Sequence, residues 1–497
     1  MQTVSTGKVY TYKVPQLKSS TIDAPAVRVL IWVYFLLLMV EGMLRKWLLP
    51  QLSDPLLLIR EPFLVLIYIC AIARRAFVLN LYTLSLGALG AISFLTGMMV
   101  GSHNLMVTSY GFDSMFFHLP LIFVIGNVMT HSDVIKIGRI LLLLTVPMAI
   151  LMVLQFRAPP TAWINCGAGG GIGAQIGGAL GKIRPPGFFT FVTGAAQFLA
   201  LATAFIIFGF WKEGAKNRLL LLVAGLSVAV AASVSTSRLA IGAIGTVFVM
   251  VGVVIAFDTS GFGKFVKALV PLGVIMVIAT NMDIFKEGKH VFEVRLEEAG
   301  DLRAGVLGTA SNWSGRIFGD FYGGYLAVQA APILGAGLGV GTNVGARVLS
   351  GNFGFLLAEG EWARVVLELG PILAFPYLLL RLLLCLELFS SAAASAKRGN
   401  ALPMLLFGSC ALLITSGQFS QTSTLGFAAL GAGLCLAAGN SGAGEDFGNL
   451  RPIESGERKV YGIQKRIGCS TYALALRESR ATDEIGQGSR ADSDEST

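Results

Sequence analysis

The chain has 497 residues, 54% of them hydrophobic and only 13% charged, with a formal net charge of +9. Its mean hydropathy of +0.70 excludes an ordinary soluble domain. The positive balance does not argue for nucleic acid, because in so apolar a chain Lys and Arg mostly mark cytoplasmic loops. The apolar residues come in blocks of about 17–25, the length that crosses ~30 Å of hydrocarbon. The fold class expected is therefore all-α: a polytopic membrane protein of about twelve spans.

In chain order, residues 1–26 form a polar N-terminal arm with Lys8, Lys13 and Lys18 and no cleavable apolar core, so no signal peptide is read there. Residues 27–280 hold spans one to nine, beginning near Val27, Leu56, Val78, Met115, Ile140, Phe191, Leu219, Arg238 and Val266. The apolar run from Leu219 to Phe257 is too long for one helix and splits at SVSTSR, Ser233 to Arg238. Residues 281–363 form a large outer loop, partly helical. Residues 364–439 carry spans ten to twelve, and 440–497 a mixed-charge tail predicted to be disordered.

A cytoplasmic start puts Arg74, Arg75, Lys136, Arg139, Lys212, Lys216, Arg218, Lys264, Lys267, Lys397 and Arg398 on the cytoplasmic side, a positive-inside pattern with both termini inside. Cations left outside need a reason, and two stand at the outer ends of helices. Two roles are open to Arg238: to cap or snorkel at its turn, or to hold an anion, since guanidinium binds phosphate bidentately and keeps its charge. Arg184, in the stiff segment GKIRPPGFFTF, is either a solvated loop cation or part of the same anion site. Four cysteines lie in apolar segments, and no spacing suggests a disulfide or a zinc site. Neither CGAGGGIGAQIGGALGK nor GAGLGVGT follows a strand, so a dinucleotide fold is not expected; both read foremost as flexible.

Four features occur in a fixed order. They are R-x-x-G-x-F before a helix (Arg184, Gly187, Phe189), an S-R turn between helices (Ser237, Arg238), the loop stretch SGRIFGDFYGGYLAVQAAPILGAGLGVGT (Ser314 to Thr342), and L-E-L-G (Leu367 to Gly370). Together with the large loop between spans nine and ten, they resemble the O-antigen ligase/polymerase superfamily of bacterial envelope polysaccharide enzymes, over roughly Ile183 to Gly370.

The resemblance implies a metal-independent, inverting membrane glycosyltransferase in the bacterial inner membrane. It would move a glycan from an undecaprenyl-pyrophosphate carrier to an acceptor glycan or lipid-linked acceptor at the outer face, with no cofactor, no metal and no nucleotide sugar. Other polysaccharide-assembly proteins are its implied partners, besides membrane lipid. Arg184, Arg238 and Arg316 match the family's pyrophosphate-binding arginines. Such chemistry needs fixed cations for the leaving group and a base for the attacking hydroxyl.

The family's base is a histidine eleven residues before the glycine of the L-G turn, and here that position is Glu359. The loop's histidine, His290, lies at the far end. Glu359 is therefore the candidate base, if its site tunes or positions it. The alternative is an ordinary first-turn acid, and the same holds for Glu361. Arg364, Arg45 and Lys46 are further candidates; Arg364 and Glu368, four apart, are expected to pair with each other. Glu41 and Glu61 are expected to pair with Arg45 or Arg60, with a contribution to the carrier-pyrophosphate site as the alternative, and His118 to make a packing hydrogen bond. The rival functions are a secondary transporter or lipid-glycan flippase, and a non-catalytic subunit of polysaccharide assembly.

Overall fold

A computed structural model describes residues 22–212, 217–257, 261–298, 305–351 and 354–440; at 261, 262, 264, 265 and 305–317 it describes the backbone alone. Most of the expected N-terminal arm and nearly all of the tail lie outside the described residues. The described chain is helical, with one isolated bridge, Gly177–Ile183.

The first group of helices is α1 (Pro25–Met43), α2 (Ser53–Leu56), α3 (Glu61–Ala73), α4 (Leu81–Met99), α5 (Leu105–Phe112), α6 (Leu121–Val128), α7 (His131–Arg157) and α8 (Val192–Trp211). The second is α9 (Arg218–Val234), α10 (Arg238–Phe257), α11 (Gly261–Asn281), α12 (Asp283–Glu298), α13 (Gly305–Ala330) and α14 (Asn343–Ser350). The last is α15 (Glu361–Lys397), α16 (Leu402–Ser416) and α17 (Thr422–Asn440). Capping boxes start α4 and α7: Asn80 pairs with Thr83, and Thr130 with Asp133.

Every one of the expected spans contains a helix. Eight helices are long and apolar enough to cross a membrane, and two bent pairs bring the number to ten. The other two, α9 and α16, have only 17 and 15 residues, near or below the length a span needs. Length and composition thus support eight to ten crossings of a multi-pass membrane protein.

Side-chain and backbone contacts sort the helix ends onto two faces of the bundle. At one face Asn127 donates to the Ala76 carbonyl, Arg28 pairs with Asp133, Asn400 donates to the Ala438 carbonyl and Asn440 to that of Gly126. At the other, Lys46 donates to the Gly187 carbonyl, Arg60 to that of Thr422 and Trp362 to that of Thr415. The helices therefore alternate in direction along the chain. At the centre stand α8 and α17, both almost wholly buried. Their sequences, GAAQFLALATAF and GFAALGAGLCLAAG, are rich in the small residues that let helices approach closely where apolar burial gives little drive. The exposed large side chains of α4, among them Leu81, Leu84 and Leu95, face outward as a lipid-contacting helix requires.

Two departures from a plain bundle shape the loop-bearing face. The helix α12 turns 82° from α11. Eight of its sixteen residues are charged, so it lies across the end of the bundle rather than continuing a span. The second departure is in α15, whose backbone breaks at Gly370 (φ 72°, ψ 161°). Glu361 and Arg381 nevertheless touch, at 2.8 Å. A straight helix would hold two residues that far apart in sequence ~30 Å from each other. The segment 361–369 is therefore a short arm folded back against the long helix 371–397.

Candidate functional site at the loop-bearing face

The segment carrying Arg184 is fixed from several sides. Arg184 donates its backbone N–H to the Ile176 carbonyl, and Gly178 donates to that of Lys182, so residues 176–184 close into a small loop. After Pro185 and Pro186, Gly187 turns with φ 56°. Its N–H donates to Gln155 Oε1 at 2.9 Å, and its carbonyl accepts from Lys46 Nζ at 2.6 Å. Phe189 is buried against Phe198 and Phe427. Lys46 is therefore structural, a buried amine that holds the turn beneath Arg184. Arg45 is likewise structural, pairing with Glu41 at 3.2 Å and donating to the Ser53 carbonyl at 3.0 Å.

The S-R turn lies beside that loop. Gly178 would, with a side chain, meet Thr236 Oγ1. Thr236 itself sits at φ 45°, a region a β-branched residue rarely occupies. Arg238 is the first residue of α10. Arg295 of α12 donates to the Thr236 carbonyl in the turn between α9 and α10. Lys182 pairs with Glu287, also on α12, at 2.9 Å.

Burial first, and then the Arg238 guanidinium, hold the Arg184 group below its ordinary value. Two of the three predicted arginines thus lie on loops that meet, the Gly178 end of one against Thr236 of the other. The side chain of the third, Arg316, lies outside the described residues. Its backbone position is one turn before Asp320 on α13, and Asp320 Oδ1 accepts the Trp362 N–H at 3.2 Å.

Glu359 is exposed at the foot of the short arm of α15. Its carbonyl accepts from Gln418 Nε2 at 2.6 Å. Gln418 Oε1 accepts from Gln421, and Gln421 Oε1 accepts from Thr193 on the first turn of α8. A polar chain therefore joins the end of the large loop to the helix that follows the Arg184 segment.

The residues just beyond Glu359 have another role. Arg364 pairs with Glu361 at 2.9 Å and with Glu368 at 3.1 Å, and Arg381 closes the set on Glu361. All four are buried, two acids against two guanidiniums. Arg381 also donates to the carbonyls of Leu413, Ile414 and Gly417 at the end of α16. Glu361 and Arg364 are thus pillars of the site rather than groups open to substrate. Of the Arg364 pairings, sequence spacing foresaw only the one with Glu368.

GAGLGVGT is an ordered loop, contrary to the flexible reading. Gly339 and Gly341 donate their N–H groups to the Glu368 carboxylate at 3.0 and 2.8 Å. Ala336 and Gly337 donate to the carbonyls of Leu367 and Glu368. Gly335, Gly337 and Gly339 all have positive φ, so the glycines are the backbone requirement of a loop wrapped around one carboxylate. His290 is exposed on α12.

No family model, no curated protein and no solved structure matches the chain.

Arg295, Arg381, Asp320 and the Gln418–Gln421 pair were not anticipated from sequence. For Arg381 a signal existed: an ionisable residue inside an apolar run is costly there and is normally paired.

Proposed function

We propose that this protein transfers a glycan from a polyprenyl-pyrophosphate carrier to a sugar acceptor at the outer face of a bacterial inner membrane, as a polymerase or ligase. The observation that carries the reading is that the Arg184 loop and the Ser237–Arg238 turn meet at the loop-bearing face, where a side chain on Gly178 would touch Thr236. Their motifs are those that resemble the O-antigen ligase/polymerase superfamily. A pyrophosphate leaving group gains negative charge as the glycosidic bond breaks, and fixed guanidiniums favour that state over the ground state. Glu359, on the polar chain from Thr193, is the proposed base for the acceptor hydroxyl, and Arg316 the proposed third cation. The positive-inside rule makes the other face cytoplasmic.

The test is the surface glycan of the source cell, resolved by chain length on gels. Replacing the native gene with Arg238→Ala or Arg184→Ala should abolish polymer or ligated product at unchanged protein level. Glu359→Gln should do the same if it is the base. Unaltered glycan in all three variants would sink the reading.

A second reading, a transporter or flippase, is favoured by one specific feature. The pair Leu105–Phe117 and Leu121–Val128 is bent by 40°, with ionisable side chains at the break. Transporters often place their sites at such broken helices. Uptake or flipping of a labelled lipid-linked glycan in vesicles, without product formation, would favour it.

A further inference from the structure

The break between α5 and α6 gathers Glu61, Asp113 and His118; from sequence, Glu61 is expected in an ion pair with an arginine and His118 in a packing hydrogen bond. Asp113 opens a π-helical turn that runs to Phe117. Such a turn inserts an extra residue into the helix and re-aims its side chains, often at functional positions. His118 follows at once, and Glu61 starts α3 beside it. Glu61 Oε2 lies 3.3 Å from His118 Nε2, and Asp113 Oδ1 lies 3.6 Å from His118 Nδ1. One ligand atom from each of the three residues can be chosen so that all lie within 4.8 Å of one another.

The polar groups here are poorly satisfied. The buried His118 Nε2 faces Glu61 Oε2 at 3.3 Å without a hydrogen bond, and Glu61 Oε1, also buried, has no hydrogen-bond partner. Buried polar atoms normally find partners, and each exception asks for a missing one. The neighbouring guanidinium does not supply it. Arg60 directs Nε to Glu41, Nη1 to Tyr34 and Nη2 to the Thr422 carbonyl. Arg45 is likewise taken by Glu41.

We infer that Glu61, Asp113 and His118 form a binding site for a divalent first-row metal ion at the break between α5 and α6. The donor set, one imidazole nitrogen and two carboxylates, suits Mn²⁺, Fe²⁺ or Zn²⁺. Ligand atoms about 2.0–2.2 Å from an ion stand roughly 3.3 Å apart in a tetrahedral shell, which is the present spacing of Glu61 Oε2 and His118 Nε2. The His118 ring is suitably oriented, with Nδ1 facing the Asp113 carbonyl at 3.5 Å. A metal-bound histidine usually directs its second nitrogen to such an acceptor. Glu61 and Asp113 keep 15% of their side-chain surface accessible. The site is separate from the Arg184–Arg238 pair and does not depend on the glycan-transfer reading.

The full chain, purified in detergent with any tag removed, would be loaded with Mn²⁺ or Zn²⁺, desalted and measured by elemental analysis. About one ion per chain is expected, with at least a tenfold loss of affinity in Glu61→Gln, Asp113→Asn and His118→Gln, and none in His290→Gln. Mn²⁺ bound to wild-type should show nitrogen coupling from one imidazole in its paramagnetic resonance spectrum. That spectrum decides the matter even if the variants fold poorly. No uptake, uptake unchanged in all three variants, or bound Mn²⁺ without nitrogen coupling would each overturn the assignment.

Discussion

Arg381 reaches Glu361 at 2.8 Å across the fold-back at Gly370, with both side chains buried. This contact holds the short arm 361–369 against the long helix 371–397 and so fixes where Glu359 emerges. Glu361 is shared, because its other oxygen accepts from Arg364. Removing Arg381 leaves Glu361 half-compensated in a buried setting, which costs about 3–5 kcal/mol. Arg381→Ala should lower the melting temperature in detergent strongly, and the double variant Arg381→Met with Glu361→Gln should recover part of the loss.

Gly370→Ala should be damaging for backbone reasons alone. The residue's φ of 72° and ψ of 161° belong to a region open essentially to glycine, and a Cβ there would run into the Ile333 carbonyl. The strain amounts to about 1–3 kcal/mol before that collision is counted. Limited proteolysis should show faster cleavage within residues 331–342, which pack on this bend.

If Arg184 and Arg238 hold a pyrophosphate, the free anion should stabilise the fold. Millimolar pyrophosphate is expected to raise the melting temperature of wild-type protein. At a hundred times the dissociation constant the gain is about 2.7 kcal/mol. Arg184→Ala and Arg238→Ala should each lose most of that shift, and sulfate at equal ionic strength should not reproduce it.

Asp320 gives a pH prediction outside the membrane spans. Burial pushes its carboxyl above the ordinary value; the Trp362 N–H opposes this, Glu361 adds to it and Arg381 opposes it. With the folded value above the unfolded one, the stabilisation is complete below the ordinary carboxylate range and is lost as pH rises through the folded value. Asp320→Asn keeps an acceptor for Trp362 and carries no charge. It should melt higher than wild-type at pH 7, and the difference should shrink towards pH 4.

Topology can be read by labelling. In a cysteine-free background, Gly177→Cys on the loop-bearing face should react with an impermeant maleimide added to intact spheroplasts. Lys136→Cys, exposed at the opposite face, should react only after lysis. The reverse pattern would invert the proposed orientation.

The sequence by itself determined the helices. Apolar blocks long enough to span a bilayer have almost no other way to satisfy their backbone polar groups, so each expected span contains a helix. The Arg364–Glu368 pair was legible for the same reason, since residues four apart share a helix face. Tertiary structure decided everything that joins distant segments. Composition could not show that Glu368 would fill the Gly339–Gly341 loop, because the ligand of that loop comes from another helix. Lys46 looked like a misplaced outer cation until its partner, the Gly187 carbonyl, was visible 141 residues away. Arg381 passed as part of an apolar span because only the fold-back at Gly370 brings Glu361 to it. The neighbourhood of Arg184 and Arg238 likewise depends on two loops meeting over the end of the bundle, and contacts between loops leave no periodicity in a sequence.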